Sequence, residues 1–298
     1  MANWVVMISK GNNETARPEP EIIESFVAGR SPGPEHQCED LLVAVPGYIA
    51  VIDGVTNPSG GTYNGRTAGR FAAEAIAGGI RQLDSNTDCF SAAQKLTAYL
   101  RAAVGRADRN NPGPDTPSAV IAMFSAAKRQ VWRIGDCHIA IGSRMHMGGK
   151  KIDRACAEVR SIYLRAYLLA GSTVEQLQQH DPGRELIQPV FDRQRVFRNT
   201  ATTLGYGAVD GSDIPCQHIE CFEVPPERTE VVLTTDGYLN PATTLAQAER
   251  QLRQALDEDP LLIGANKEIK GLVPGNSSFD DRAYIRFAVS GTLPALSI

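Results

Sequence analysis

The chain has 298 residues, a formal net charge of −4, 42% hydrophobic and 21% charged residues, a balance that supports an ordinary folded core. Aromatic residues make up only 6% and no Lys/Arg run stands out, so the footprint of a nucleic-acid groove is missing. No window approaches the ~20 apolar residues that a membrane span needs, and no membrane association is expected.

The apolar stretch within residues 1–10 is too short for a signal peptide and lacks a basic lead. Cys38, Cys89, Cys137, Cys156, Cys216 and Cys221 form no Cys-x-x-Cys pair. Only Cys216 and Cys221, with His218 between them, stand close enough to raise a thiolate zinc site, and the spacing supports it weakly. Six such cysteines read as reduced thiols, and a soluble, cytoplasmic protein is expected.

Residues 11–37 are rich in Pro, Gly, Glu and Asn, with one short element expected near 21–27. Two apolar runs, 41–45 and 48–52, flank Pro46-Gly47 and predict a β-hairpin. Ala68, Phe71, Ala72, Ala75, Ile76 and Ile80 recur at helical spacing, predicting a helix over 67–83. A second helix is expected from about Ser91 to Ala107, with Ser91 and Asp88 as its cap region. After the break at 110–115 come strand-like runs at 119–125, 130–134 and 138–142, the last two joined by the tight turn Gly135-Asp136. Residues 153–198 are helical and charged in character. Strands at 219–224 and 230–234, a helix at 245–256 and a last strand at 283–289 complete the chain. Short connections favour antiparallel pairing, so the pattern predicts one α/β (α+β) sandwich, residues 1–298, with helices covering antiparallel sheets.

Four acidic positions abut apolar strands. Glu39-Asp40 precede 41–45, Asp53-Gly54 end 48–52, Asp236-Gly237 follow 231–235, and Asp280-Asp281 precede 282–288. Carboxylates gathered at strand ends repel one another and call for a divalent cation. An all-oxygen ligand set suits Mg²⁺ or Mn²⁺. A single Asp-Gly is more often a turn than a ligand, as Asp210-Gly211 is expected to be. The inference therefore rests on several such positions in order.

The order of motifs, from Cys38 to Val289, resembles the metal-dependent serine/threonine protein phosphatases of type 2C, in an atypical, bacterial-type form. The matching segments are Cys38-Glu39-Asp40, Val51-Ile52-Asp53-Gly54, Thr116-Pro117-Ser118-Ala119-Val120, Arg133-Ile134-Gly135-Asp136-Cys137, Leu233-Thr234-Thr235-Asp236-Gly237 and Ser278-Phe279-Asp280-Asp281. The resemblance implies a four-layer αββα sandwich of two antiparallel sheets flanked by helices, with two metal ions at one end. It implies that Asp53 bridges both ions and the Gly54 carbonyl binds one, while Asp236 and Asp280 bind the other. Glu39 and Asp40 would hold metal-bound waters, and Asp136 is the candidate for a third, weaker ion. The implied activity is hydrolysis of phosphoserine and phosphothreonine in a phosphorylated protein substrate by a water activated between Mn²⁺ or Mg²⁺ ions. Asp53, Asp236 and Asp280 are the residues this chemistry needs. His138 and His36 are candidates for a general acid, although a lone His beside a strand is more often structural.

The sequence also departs from the family pattern. Glu35 stands where a phosphate-gripping arginine is usual, and Arg30 or Arg66 would have to reach the site instead. Residues 55–61 differ from the family's usual small residues, Asp281 replaces an Asn, and Cys137 replaces a Ser. Residues 153–198 fall where the family carries a variable flap. Arg160, Arg165, Arg184, Arg193, Arg195 and Arg198 there either recruit a phosphorylated partner or form a solvated face, the commoner meaning of a charge run. Two alternatives stay open: a phosphatase of small phosphorylated molecules, and a pseudophosphatase that binds without turnover. No Gly-x-Ser-x-Gly or P-loop pattern favours another hydrolase or an NTPase.

Overall fold

A computed structural model describes residues 19–33, 37–56, 60–110 and 116–291. After β1 (Glu21–Ala28) the expected hairpin forms from β2 (Leu41–Val45) and β3 (Tyr48–Gly54). The short strands β4 (Thr62–Tyr63) and β5 (Arg66–Thr67) lead into α1 (Ala68–Ile80). Next come α2 (Cys89–Arg106) and a third short strand, β6 (Arg109–Asn110), which pairs with β4. A meander follows through β7 (Ala119–Ser125), β8 (Gln130–Ile134), β9 (His138–Ile141) and β10 (Arg144–His146). The helical segment contains α3 (Lys151–Leu169), α4 (Val174–Gln179) and α5 (Pro182–Gln194). The chain then forms β11 (Glu220–Glu223), β12 (Thr229–Thr234), α6 (Leu245–Glu258) and β13 (Arg282–Val289). Helix α2 starts two residues before Ser91 because Asp88 is its cap: one carboxylate oxygen accepts from the Phe90 and Ser91 amides at 3.0 Å each.

Two five-stranded antiparallel sheets carry the architecture, in the orders β1-β13-β12-β9-β10 and β11-β8-β7-β3-β2. Strand period explains the layering. Along β3, Ile49 and Val51 point between the sheets, where they meet Phe124, Leu233, Ile285 and Phe287. Tyr48, Ala50 and Ile52 point the other way, onto Ile76 of α1 and Leu96 and Leu100 of α2. On the second sheet, Val232 and Tyr284 face Leu252 and Leu256 of α6. Both faces of the central strands are therefore covered, which is why they read as nearly unbroken apolar runs rather than alternating ones. Each fully buried aliphatic chain contributes about 1.5–3 kcal/mol relative to exposure. A one-residue slip in β3 would exchange its two faces.

The helical segment begins at Lys151 rather than 153 and is interrupted twice. Its arginines divide into two groups. Arg160 is fully buried, with Nε and Nη2 on Asp181 at 2.8 and 2.7 Å and Nη1 on the Leu261 and Glu268 carbonyls. Arg165 donates to the Ile263 carbonyl, Arg184 donates to the Ile269 carbonyl, and Arg198 pairs with Asp210 at 3.6 Å. These four hold the segment to its neighbouring loops, which corrects the reading of Arg160, Arg184 and Arg198 as a docking or solvated face, while Arg165 is itself exposed. Arg193 and Arg195 are exposed.

Candidate metal centre

Antiparallel register gathers the acidic positions at one end of the sandwich. In the first sheet Thr234 pairs with both His138 and Tyr284, so the turn holding Asp136, the exit of β12 at Asp236 and the entry to β13 at Asp280 share an edge. In the second sheet Leu41 pairs with Ile52, Asp53 with Val120 and Ile121 with Ile134, which brings the start of β2, the end of β3 and the same Gly135-Asp136 turn to that edge. Close backbone packing holds the loops there. Gly135 has φ +97°, and a Cβ on it would lie 2.2 Å from Val120 Cγ1. A Cβ on Gly54 would lie 2.5 Å from the Gly69 carbonyl oxygen, so the first turn of α1 rests directly on the end of β3.

Asp53, Asp136 and Asp236 come together so that one oxygen of each lies within 4.8 Å of the others, the one such His/Cys/Asp/Glu group among the described residues. The closest trio thus contains Asp136, expected only at an outer ion, and not Asp280. Asp136 is buried and Asp53 and Asp236 are half-buried. Asp280 lies beside them, held by Lys270 Nζ at 2.5 Å and Arg30 Nη1 at 3.2 Å. Glu39 and Asp40 are almost completely buried, at 4% and 2% exposure. Glu39 accepts a short hydrogen bond from the Thr56 hydroxyl. One carboxylate oxygen of each of Glu39, Asp40, Asp136 and Asp153 is buried without a hydrogen-bond partner among the described residues. Orphaned, water-shielded carboxylate oxygens are costly. An all-oxygen, anionic set of this kind fits hard divalent cations such as Mg²⁺ or Mn²⁺, and the residues present therefore suit them.

The charge states agree with that strain. Burial, and then the neighbouring carboxylates Asp236, Asp40 and Asp136, push the Asp53 carboxyl well above its usual range. Burial and Asp281 do the same to Asp40. Burial, then Asp136 and Asp280, push Asp236 up to about 7. For Asp280 burial works in the same direction, but Lys270 and Arg30 outweigh it and hold its carboxyl below the usual value.

A cleft of about 330 Å³ opens at this edge, its wall including Asp136, Lys150, Asp236, Glu268, Lys270 and Asp280. Sequence reasoning missed three of these. Lys150 immediately precedes α3 and reaches Asp136 Oδ2 at 2.8 Å and Asp153 Oδ2 at 3.6 Å. Lys270 and Glu268 come from the irregular stretch between α6 and β13. Burial and then Asp236 and Asp280 push Glu268 up to about 8. No periodicity or motif marks these positions in the sequence. Arg30 does reach the site, whereas Arg66 pairs with Glu74 at 3.5 Å.

Asp281 is engaged by backbone amides. Its oxygens accept from the Arg30 and Glu39 amides at 2.8 Å each, tying the loops after β1 and before β2 to the entry of β13. His138 is buried and its Nδ1 accepts from the Gly148 amide at 3.0 Å; burial lowers its pKa to about 4. A neutral imidazole held this way is a structural group, not a proton donor near pH 7. His218 Nε2 contacts the Thr200 carbonyl, Cys216 and Cys221 are exposed, and all six cysteines are free thiols. Asp210 forms a turn, accepting from the Ser212 amide at 2.8 Å. Glu35, His36 and residues 57–59 lie outside the described residues.

No family model and no curated protein matches the chain. Solved structures do. Its structural neighbours are bacterial serine/threonine phosphatases. The Mycobacterium tuberculosis serine/threonine phosphatase PstP/Ppp is 14% identical over 91% of this chain and 100% of that one, with a TM-score of 0.45. The catalytic domain of PstP in complex with 2 manganese ions is 13% identical over 90% and 99%, also at 0.45. The PPM Ser-Thr phosphatase MsPP from Mycobacterium smegmatis, in complex with cacodylate, is 12% identical over 91% and 100%, at 0.42. Chemistry is not inherited through so distant a likeness, and has to come from the side chains.

Proposed function

We propose that this chain hydrolyses phosphate monoesters, with phosphoserine and phosphothreonine of a phosphorylated protein as its substrates, using divalent cations held by Asp53, Asp136 and Asp236. The observation that carries this reading is the convergence of those three carboxylates, with a buried oxygen of Asp136 left unpaired. Asp280, on giving up its pairs with Lys270 and Arg30, and the Gly54 carbonyl would complete the ligand set, and Glu39 and Asp40 would hold water around it. Bound Mn²⁺ or Mg²⁺ would lower the pKa of water and neutralise phosphoryl charge. Arg30, Lys150 and Lys270 supply fixed positive charge around the carboxylates, and an incoming phosphoryl group would share these donors.

A second reading has its own support. The same three cations already neutralise Asp136 and Asp280, as they would in a pseudophosphatase that binds partners without turnover. Hydrolysis of p-nitrophenyl phosphate and of a phosphothreonine peptide, with Mn²⁺, with Mg²⁺ and with EDTA, separates the readings. Metal-dependent turnover lost in Asp236→Asn supports the phosphatase, and the ratio of the two substrates separates protein from small-molecule targets. A folded, Mn²⁺-binding protein without turnover on either substrate overturns it in favour of the pseudophosphatase.

A further inference from the structure

Lys150 is badly placed for its own helix. It occupies the position just before the first turn of the 19-residue α3 and makes no side-chain cap. A positive charge there opposes the helix dipole. Its surroundings explain the placement. The ammonium lies 2.8 Å from Asp136 Oδ2 and 3.6 Å from Asp153 Oδ2, and 5.5 Å from the centre of the Tyr206 ring. The Lys150 side chain is only 16% exposed, and that of Asp136 only 4%. Asp136 and Asp153 each keep a second carboxylate oxygen, Oδ1, that is buried and has no hydrogen-bond partner among the described residues. The arrangement is that of a cation enclosed by two carboxylates, in which the cation is a side chain. An ammonium carries one charge where a metal would carry two, which leaves those oxygens unanswered.

We infer that the Lys150 ammonium fills the position of a divalent cation between Asp136 and Asp153, so that this chain closes with its own side chain what would otherwise be an additional ion site. The inference rests on reading the neighbouring carboxylates as a metal centre. It makes Asp136 a shared group: Oδ2 belongs to Lys150, and Oδ1 remains for an ion held with Asp53 and Asp236. The positive charge at this wall of the cleft is then independent of the metal concentration. Removal of the ammonium should expose an oxygen-only pair open to a hard cation.

The test is an ion count. Wild type, Lys150→Met, Lys150→Arg and Lys150→Met/Asp153→Asn are equilibrated with saturating Mn²⁺, and bound metal per chain is measured by equilibrium dialysis with elemental analysis. Lys150→Met should bind one ion more than wild type. Lys150→Arg, which keeps the charge, and the double variant should return to the wild-type count. Circular dichroism checks the fold of each, and Lys150→Gln replaces Lys150→Met should the latter not fold. Equal counts in wild type and the charge-removing variant overturn the inference, as does a gained ion in Lys150→Arg. The difference decides the matter whatever the absolute number. A wild-type count of zero would sink the metal-centre reading itself, while a gained ion in Lys150→Met would still support the role given to Lys150.

Discussion

Removing a carboxylate from this site should stabilise the metal-free protein, and the more so the higher the pH. Asp236 has a carboxyl pushed up to about 7, against 3.8 for an ordinary aspartate, by burial and by Asp136 and Asp280. The folded state therefore holds a proton that the unfolded chain releases between those two values. A group with its folded pKa raised in this way lowers stability as pH climbs from about 4 to about 7, and the full penalty is present above that. At 1.36 kcal/mol per pKa unit, the penalty is on the order of 1–2 kcal/mol at pH 5 and about 4 kcal/mol at pH 8. Asn at position 236 carries none of it. With EDTA, the advantage of Asp236→Asn over wild type should grow by about 2–3 kcal/mol from pH 5 to pH 8, a relative rise in Tm of roughly 3–5 °C for a chain of this size. With Mn²⁺ at pH 8 the order should reverse, because the variant loses a ligand for the stabilising ion. Thermal melts of both proteins at the two pH values, with EDTA and with Mn²⁺, provide the four comparisons. A variant less stable than wild type at pH 8 in EDTA, or a pH-independent difference, would refute the claim that Asp236 is held under electrostatic strain.

Other consequences follow from individual contacts. Arg160→Ala leaves Asp181 Oδ2 and the Leu261 and Glu268 carbonyls without their buried donor, and should cost about 3 kcal/mol in urea unfolding, the lower end for a broken buried ion pair. Gly148→Ala would put a Cβ 1.8 Å from the Asp136 carbonyl oxygen, so the turn must shift. Mn²⁺ affinity measured by calorimetry should fall at least about tenfold, the scale set by loss of supporting contacts around metal ligands. Asp88→Ala removes the cap of α2 and should cost about 1 kcal/mol, read from the denaturation midpoint, with Mn²⁺ binding unchanged.

The layers were legible in the sequence because burial on both faces leaves long apolar runs with acidic residues at their ends. The run 48–52 followed by Asp53, and 231–235 followed by Asp236, mark both the strand and the edge where it stops. Strands β4, β5 and β6 escaped because two residues carry no period. Charge proved harder to read than apolarity. Among the arginines of 153–198 nothing local distinguishes Arg160, which is fully buried, from the exposed Arg193. Its partners are Asp181 and carbonyls about a hundred residues away at 261 and 268. The lysines of the cleft pose the same difficulty. Lys150 follows Gly148-Gly149 at the edge of a helix, and Lys270 belongs to an irregular stretch, so neither lies on a face that periodicity could assign.

Those hidden cations sharpen the choice between a centre neutralised by the chain's own side chains and one that takes up a metal ion. If Arg30, Lys150 and Lys270 were the whole counter-charge, each buried carboxylate oxygen would be expected to end on one of them or on another donor. Asp280 meets that expectation, with both oxygens engaged and its carboxyl held low. Asp40, Asp136 and Glu39 do not: each keeps a buried oxygen without a partner, and burial and repulsion push the Asp40 and Glu39 carboxyls upward. The fixed cations thus neutralise one side of the cluster and leave the side facing Asp53 unneutralised. A diffusible divalent cation on that side is the simplest way to answer the charge, because the described residues offer those oxygens no donor.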